Sequence, residues 1–61
     1  MEERFVCGYY SVRWYSESNE IVKDTIMYLT MVLYRREIMN MQTAFLQGQN
    51  VVRMVVMPIE K

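Results

Sequence analysis

The side chains that most often carry out chemistry in proteins are scarce in this sequence. Its 61 residues include no histidine, one cysteine, and two glycines that lie in no phosphate-binding loop. Histidine is the commonest general base and the commonest zinc ligand, so its absence removes the usual nucleophile pairings. Lys23 and Asp24 stand side by side, but we interpret them as a solvent-exposed pair on an edge strand. We therefore expect a protein that is not an enzyme and that holds no metal and no cofactor.

Aromatic residues supply the most informative pattern. Four of them fall within seven residues, on either side of Arg13: Tyr9, Tyr10, Trp14 and Tyr15. Trp, Tyr and Arg are enriched at interface hot spots, because they bury large areas and keep a polar end available. We take Tyr10, Arg13, Trp14 and Tyr15 as candidate partner-binding residues. The alternatives are that most of these aromatic rings pack on a helix, or that they stack on nucleobases.

Positive charge is dispersed along the chain. Seven Lys and Arg residues balance seven Asp and Glu residues, and the formal net charge is zero. A dedicated nucleic-acid binder usually concentrates positive charge on one surface. The adjacent Arg35 and Arg36 could seed a local positive patch, so we add them to the candidate partner-binding residues. Nucleic acid is nevertheless a less expected partner than protein.

One amphipathic helix must organise the chain. From Met31 to Gln47 the apolar residues recur at alternating spacings of three and four, as on one face of an α-helix. Thr30 suits the N-cap, and Gly48 suits the C-terminal cap, because glycine adopts the left-handed conformation at little cost. The face expected to pack on a sheet consists of Met31, Tyr34, Ile38, Met41 and Phe45.

Three other segments predict strands. Arg4 to Ser16 is rich in aromatic and β-branched residues, with Gly8 as a candidate bulge. Asn50 to Ile59 is rich in valine, and Pro58 should end its pairing because proline has no N–H to donate. Alternation places Val52, Met54 and Val56 on one face of this strand, and Val51 on the other.

The segment from Ile21 to Leu29 has two interpretations. We favour a strand, with Val22, Ile26 and Tyr28 on one face; the alternative extends the helix backwards to nearly thirty residues. The polar residues 16–20 predict a hairpin loop before it. The fold class is therefore α+β: a small single domain over residues 1–61, with a three-stranded antiparallel sheet in β-β-α-β order packed on one helix.

The balance between length and composition points to a partner. A chain of this size buries only about 60% of the surface that its unfolded form exposes. With 52% hydrophobic residues, it has more apolar material than one helix and a small sheet can hide. A contiguous exposed apolar patch usually marks a partner surface. Homodimerisation, or docking on a larger protein, would cover it.

Cysteine usage and the first residues bear on location. A lone Cys7 allows no intramolecular disulfide, and we expect its thiol to be buried as a small hydrophobe. No signal peptide is visible, and no apolar run approaches the roughly 20 residues that span a bilayer. We expect no membrane partner and a cytoplasmic location, which is the host cytoplasm if the protein is viral.

A family resemblance rests on the segment from Trp14 to Met27. The aromatic pair led by Trp14 precedes a polar turn, then Lys23 with an acid, then β-branched and Met residues. This order resembles the hairpin region of the Dmd family, small antitoxins of T-even bacteriophages. The similarity continues loosely through a helix containing Ala44-Phe45 and a short final strand. The long first strand and the absence of a C-terminal cysteine depart from the family pattern, and no toxin-contact residue can be carried over.

The resemblance implies a protein that occupies a host RNase toxin of the RnlA and LsoA type and so protects phage messenger RNA. The sequence thus predicts a small phage-type inhibitor or antitoxin, which blocks a host protein through an aromatic and sheet-edge surface. The alternative is a small homodimeric nucleic-acid-binding or regulatory protein, which contacts phosphates through Arg35 and Arg36.

Overall fold

Three strands and one helix make up the fold in a computed structural model that describes residues 5–59. The elements are β1 (Gly8–Tyr15), β2 (Ile21–Leu29), α1 (Met31–Leu46) and β3 (Arg53–Pro58). Both outer strands pair antiparallel with β1, so the sheet order is β2-β1-β3. The predicted α+β fold, with its β-β-α-β order, is confirmed, and the segment that could have extended the helix is a strand.

The first strand is shorter than predicted, because it begins at Gly8. The register with β2 is regular from Gly8 to Trp14, so the candidate bulge at Gly8 is wrong; the irregularity lies between Trp14 and Tyr15. Arg4, the predicted start of the strand, lies outside the described residues. Cys7 precedes the strand and is exposed, so the prediction of a buried thiol is also wrong.

A tight turn joins β1 to β2 where the hairpin loop was predicted. The Ser16 N–H donates to the Glu20 carbonyl at 2.8 Å, and the Asn19 N–H donates to the Ser16 carbonyl at 2.9 Å. Asn19 has a φ of 68°, a left-handed conformation that asparagine tolerates better than most residues. The polar residues therefore form a turn because their backbone and side chains satisfy one another locally.

Both ends of α1 are capped by the residues that the sequence indicated. The Thr30 hydroxyl accepts from the Leu33 N–H at 3.2 Å, as an N-cap does. At the other end, Gly48 has a φ of 91°, and its N–H donates to the Phe45 carbonyl at 3.1 Å. The Gln49 N–H donates to the Ala44 carbonyl at 3.0 Å, which completes a Schellman motif.

The core lies between α1 and one face of the sheet. Its buried apolar residues among those described are Val12, Trp14, Leu29, Ala44 and Val51. Half-buried residues from every element pack against it: Phe5, Tyr10, Met27, Tyr34, Met41, Met54 and Val56.

The helix is rotated from the predicted orientation. Glu37 and Ala44 are the buried residues of α1, whereas Met31 and Phe45 are exposed. The small Ala44 side chain lets the helix approach the sheet, and Glu37 reaches a cation on the sheet described below. Alternation predicted that Val51 and Met54 lie on different faces of the strand. Val51 is nevertheless buried, because it precedes the first residue of β3 and does not follow the alternation of the strand.

Candidate protein-binding surface

The helix covers one face of the sheet and leaves the other open. Residues directly opposite one another on neighbouring strands share a face, so the register defines both sets. We call the face without the helix the open face. Its side chains are Tyr9, Ser11, Arg13 and Tyr15 from β1, Asp24, Ile26 and Tyr28 from β2, and Arg53, Val55 and Met57 from β3.

One half of the open face is apolar and aromatic. Tyr9 and Tyr28 are cross-strand partners whose ring centroids lie 5.3 Å apart in an edge-to-face arrangement. Ser11 stands between Ile26 and Met57, its partners on the two outer strands. Tyr9, Ile26, Tyr28 and Met57 are between 48% and 66% exposed. An antiparallel sheet usually turns polar residues to solvent on its uncovered face, so this apolar half is unusual.

The other half of the open face is charged, and its charged side chains already contact groups within the chain. The Arg13 Nε lies 3.2 Å from an Asp24 carboxylate oxygen. The hydrogen bond to Asp24, and after it the one to Tyr15, raises the pKa of Arg13 above its ordinary value, so the guanidinium stays charged. Arg53 lies over the Tyr15 ring at 4.2 Å and also donates to the Asn19 side chain.

The structure divides the six predicted binding residues among three places. Arg13 and Tyr15 lie on the open face, as alternation from Tyr9 requires. Trp14 is 8% exposed under the helix, which leaves little of its ring for a partner to contact. Tyr10 is half-buried on the same covered face, where its ring stacks on Phe5 at 5.3 Å.

Arg35 and Arg36 lie on the outer side of α1, away from the sheet. They line a shallow cavity of about 400 Å³ together with Val32 and Met39. Because α1 covers one face of the sheet, this cavity and the open face lie on opposite sides of the molecule. One flat partner surface could therefore contact Arg13 and Tyr15, or Arg35 and Arg36, but not both pairs.

The sequence analysis did not predict a partly buried ion pair under the helix. The Lys23 Nζ lies 2.8 Å from a Glu37 carboxylate oxygen and 4.4 Å from the centroid of the Trp14 ring. Glu37 is only 4% exposed. The sequence suggested that Lys23 and Asp24 form a pair. They do not, because alternation turns the two side chains to opposite faces of the sheet. Nothing in the sequence around Lys23 or Glu37 indicates that these two side chains pair.

Four exposed apolar or aromatic residues of the open face are not among the predicted binding residues: Tyr9, Ile26, Tyr28 and Met57. Alternation already placed Ile26 and Tyr28 on one face of their strand. What the sequence did not reveal is the register that aligns Tyr28 with Tyr9, and Ser11 with Ile26 and Met57. The sequence shows that these residues alternate along each strand. Only the register between the strands shows that they lie on the same face.

Residues 5–59 contain neither a metal-binding cluster nor a membrane-spanning helix. No group of three or more Cys, Asp or Glu side chains in this part of the chain is placed to hold a metal ion. Its helix is also too short and too polar to cross a bilayer.

Comparisons of the chain with protein-family models, curated proteins and solved structures gave no match. The resemblance to the Dmd family stays a prediction from the sequence.

Proposed function

We propose that this protein is a small inhibitor of the antitoxin type, which binds a host protein such as an RNase toxin through its open face. The observation that carries the proposal is the exposed apolar half of that face, formed by Tyr9, Ile26, Tyr28 and Met57. Such a patch on a small chain is stabilised when a partner removes it from water. The resemblance of residues 14–27 to the Dmd family supports the choice of an RNase toxin.

The chemistry of the open face suits a protein partner. Two exposed tyrosines at its apolar end offer large, rigid contact areas with few rotatable bonds, as hot-spot residues do. The paired Arg13 and Asp24 lie toward the opposite end, where they can form a polar rim. Inhibition follows from occupancy, because a protein bound over a nuclease surface excludes RNA without any reaction on its own side chains.

The test is an RNA-cleavage assay with a purified RNase toxin of the RnlA or LsoA type. We expect one equivalent of the protein to bind the toxin and to stop cleavage. The Y9S/Y28S double variant removes both rings from the apolar half. It should weaken binding by more than about 2 kcal/mol, or about thirtyfold, if the pair is the hot spot.

The matched control is V32S/M39S on the outer side of α1. Val32 and Met39 are 65% and 64% exposed, so the control removes a comparable apolar surface from the opposite side of the molecule. It should bind and inhibit as the unmodified chain does. The proposal fails if the two double variants lose binding equally, or if the protein binds free RNA and leaves the toxin active.

A further inference from the structure

The two free edges of the sheet differ in their capacity to pair with another strand. β3 contributes six residues and ends at Pro58, which has no N–H to offer. β2 contributes nine residues, without proline or glycine. Its pairing with β1 is regular from Lys23 to Leu29, and the irregularity lies beyond Lys23, near the turn. The edge formed by β2 is thus longer than the edge formed by β3, and it contains no proline.

Backbone directions identify the groups that the β2 edge presents. The Ser16 N–H bonds toward β2, at the Glu20 carbonyl, and the Ile59 N–H bonds to the Tyr9 carbonyl of β1. Because hydrogen-bonding directions alternate along a strand, even-numbered residues of β1 bond to β2 and odd-numbered ones to β3. The partners of the even-numbered residues are Lys23, Thr25, Met27 and Leu29. Asp24, Ile26 and Tyr28 therefore point their N–H and C=O groups to the free edge.

Between Asp24 and Tyr28 the β2 edge carries little of the usual protection of an edge strand, since this stretch has neither proline nor a bulge. Natural edges are blunted by proline, by bulges or by charged side chains that repel another strand. The charged residues of β2 are Lys23 and Asp24, and both are engaged within the chain, with Glu37 and Arg13. Ile21, Val22, Ile26 and Tyr28 are all exposed along this strand. The edge is therefore largely apolar, and the one carboxylate among its outward residues, Asp24, is paired with Arg13.

We propose that the β2 edge pairs with β2 of a second copy of this chain, in antiparallel register about Ile26. A twofold axis at Ile26 places Ile26 opposite its own copy and Asp24 opposite Tyr28, so all three outward residues form ladder hydrogen bonds. No like charges face each other in this register, whereas a twofold axis at Asp24 would oppose two carboxylates. The edge is thus complementary to itself.

The product of this pairing is a continuous six-stranded sheet with two helices on one side. The open faces of the two copies join across the new strand pair, with both Ile26 side chains in contact at its centre. Their apolar halves then form one larger surface. The core contains five buried apolar residues among those described, which is small. Association with a second copy would therefore stabilise the fold. This inference does not rest on the proposed inhibition of a toxin.

Sedimentation equilibrium and amide hydrogen exchange test the pairing on the intact chain. As concentration rises, the mass should approach twice the 7.4 kDa of one chain. Over the same range the amides of Asp24, Ile26 and Tyr28 should become protected from exchange. The amides of Met54 and Val56, which face the other edge, should not. A chain that stays monomeric up to millimolar concentration, or protection at the β3 edge instead, would overturn the inference.

Charge substitutions at the proposed axis test the register. I26K and I26E should each weaken dimerisation at least about tenfold, because each places two like charges opposite one another. An equimolar mixture of the two should restore a dimer that contains one copy of each. M57K is the control, since Met57 is also exposed on the open face but lies on β3. Equal loss in M57K, or no recovery in the mixture, contradicts pairing about Ile26.

Discussion

Lys23 and Asp24 are neighbours in sequence whose ion pairs differ in burial. Lys23 lies 2.8 Å from Glu37 under the helix, and Asp24 lies 3.2 Å from Arg13 on the open face. Glu37 is 4% exposed, whereas about half of each side chain in the second pair is in solvent. Charge pairs in water contribute little to stability, but the loss of one partner from a buried pair leaves a charge without compensation.

We therefore expect Lys23→Met to lower the free energy of unfolding by about 3 kcal/mol, measured by urea denaturation, because it leaves the buried Glu37 carboxylate without its partner. Asp24→Ala should leave the urea midpoint close to that of the unmodified chain, because Arg13 keeps its hydration when it loses its partner. If Asp24→Ala proves as destabilising as Lys23→Met, the difference in burial does not control the contribution of these pairs.

Trp14 and Tyr15 show what could be predicted at the scale of single residues. The two rings lie on opposite faces of the strand, as alternation along β1 requires. The sequence could not indicate which face the helix covers, because both faces of β1 carry aromatic and aliphatic residues. The sequence therefore predicts Trp14 as a binding residue, although it belongs to the core. Burial depends on long-range packing, and residue types near Trp14 do not encode it.

At the scale of elements, local signals were sufficient for the bounds of β2 and α1, whereas β1 and β3 are both shorter than predicted. The helix begins after Thr30 and ends before Gly48 because hydroxyl capping and a left-handed glycine are short-range effects. The rotation of α1 was not predictable in the same way. It depends on the Lys23–Glu37 pair and on the small Ala44 side chain, which are tertiary contacts.

The two glycines allow a test of the C-terminal cap of α1. Gly48 has a φ of 91°, a conformation in which a Cβ atom is strained, whereas Gly8 has no positive φ. A Cβ atom added at either position would meet nothing within 4 Å, so only backbone conformation distinguishes them. Gly48→Ala should lower the free energy of unfolding by about 1 kcal/mol.

Gly8→Ala is the control for that measurement. Its free energy of unfolding should be unchanged or higher by about 0.5 kcal/mol, because alanine loses less backbone entropy in a strand than glycine does. Thermal or urea unfolding of both variants under one condition supplies the comparison. An equal loss of stability at the two glycines would mean that the left-handed cap is not what fixes the end of the helix.

At the scale of the whole molecule, positive charge is divided between opposite sides. Arg13 and Arg53 lie on the open face and contact Asp24 and Tyr15 within the chain. Arg35 and Arg36 lie on the outer side of α1, and the formal net charge of the chain is zero. No single side gathers these four arginines. A nucleic-acid strand that follows one surface would therefore find at most two of them.

This distribution predicts how the proposed complex with an RNase toxin should respond to salt. Nucleic-acid binding through several phosphates weakens by about 10³ to 10⁵ between 50 and 200 mM salt, because counterions are released. Contacts through the apolar half of the open face involve no such release, and exposed ion pairs contribute little. We expect the Kd for the toxin to change by less than about threefold over that range.

Isothermal titration calorimetry at several salt concentrations measures this dependence, and R35A/R36A is the matched variant. Because its two substitutions lie on the side opposite the open face, it should show the same Kd and the same salt dependence as the unmodified chain. A steep loss of affinity with salt that R35A/R36A abolishes would instead assign binding to the outer side of α1. The open face would then not be the toxin-binding surface, since apolar contacts on that face cannot produce a salt dependence that two arginines on α1 control.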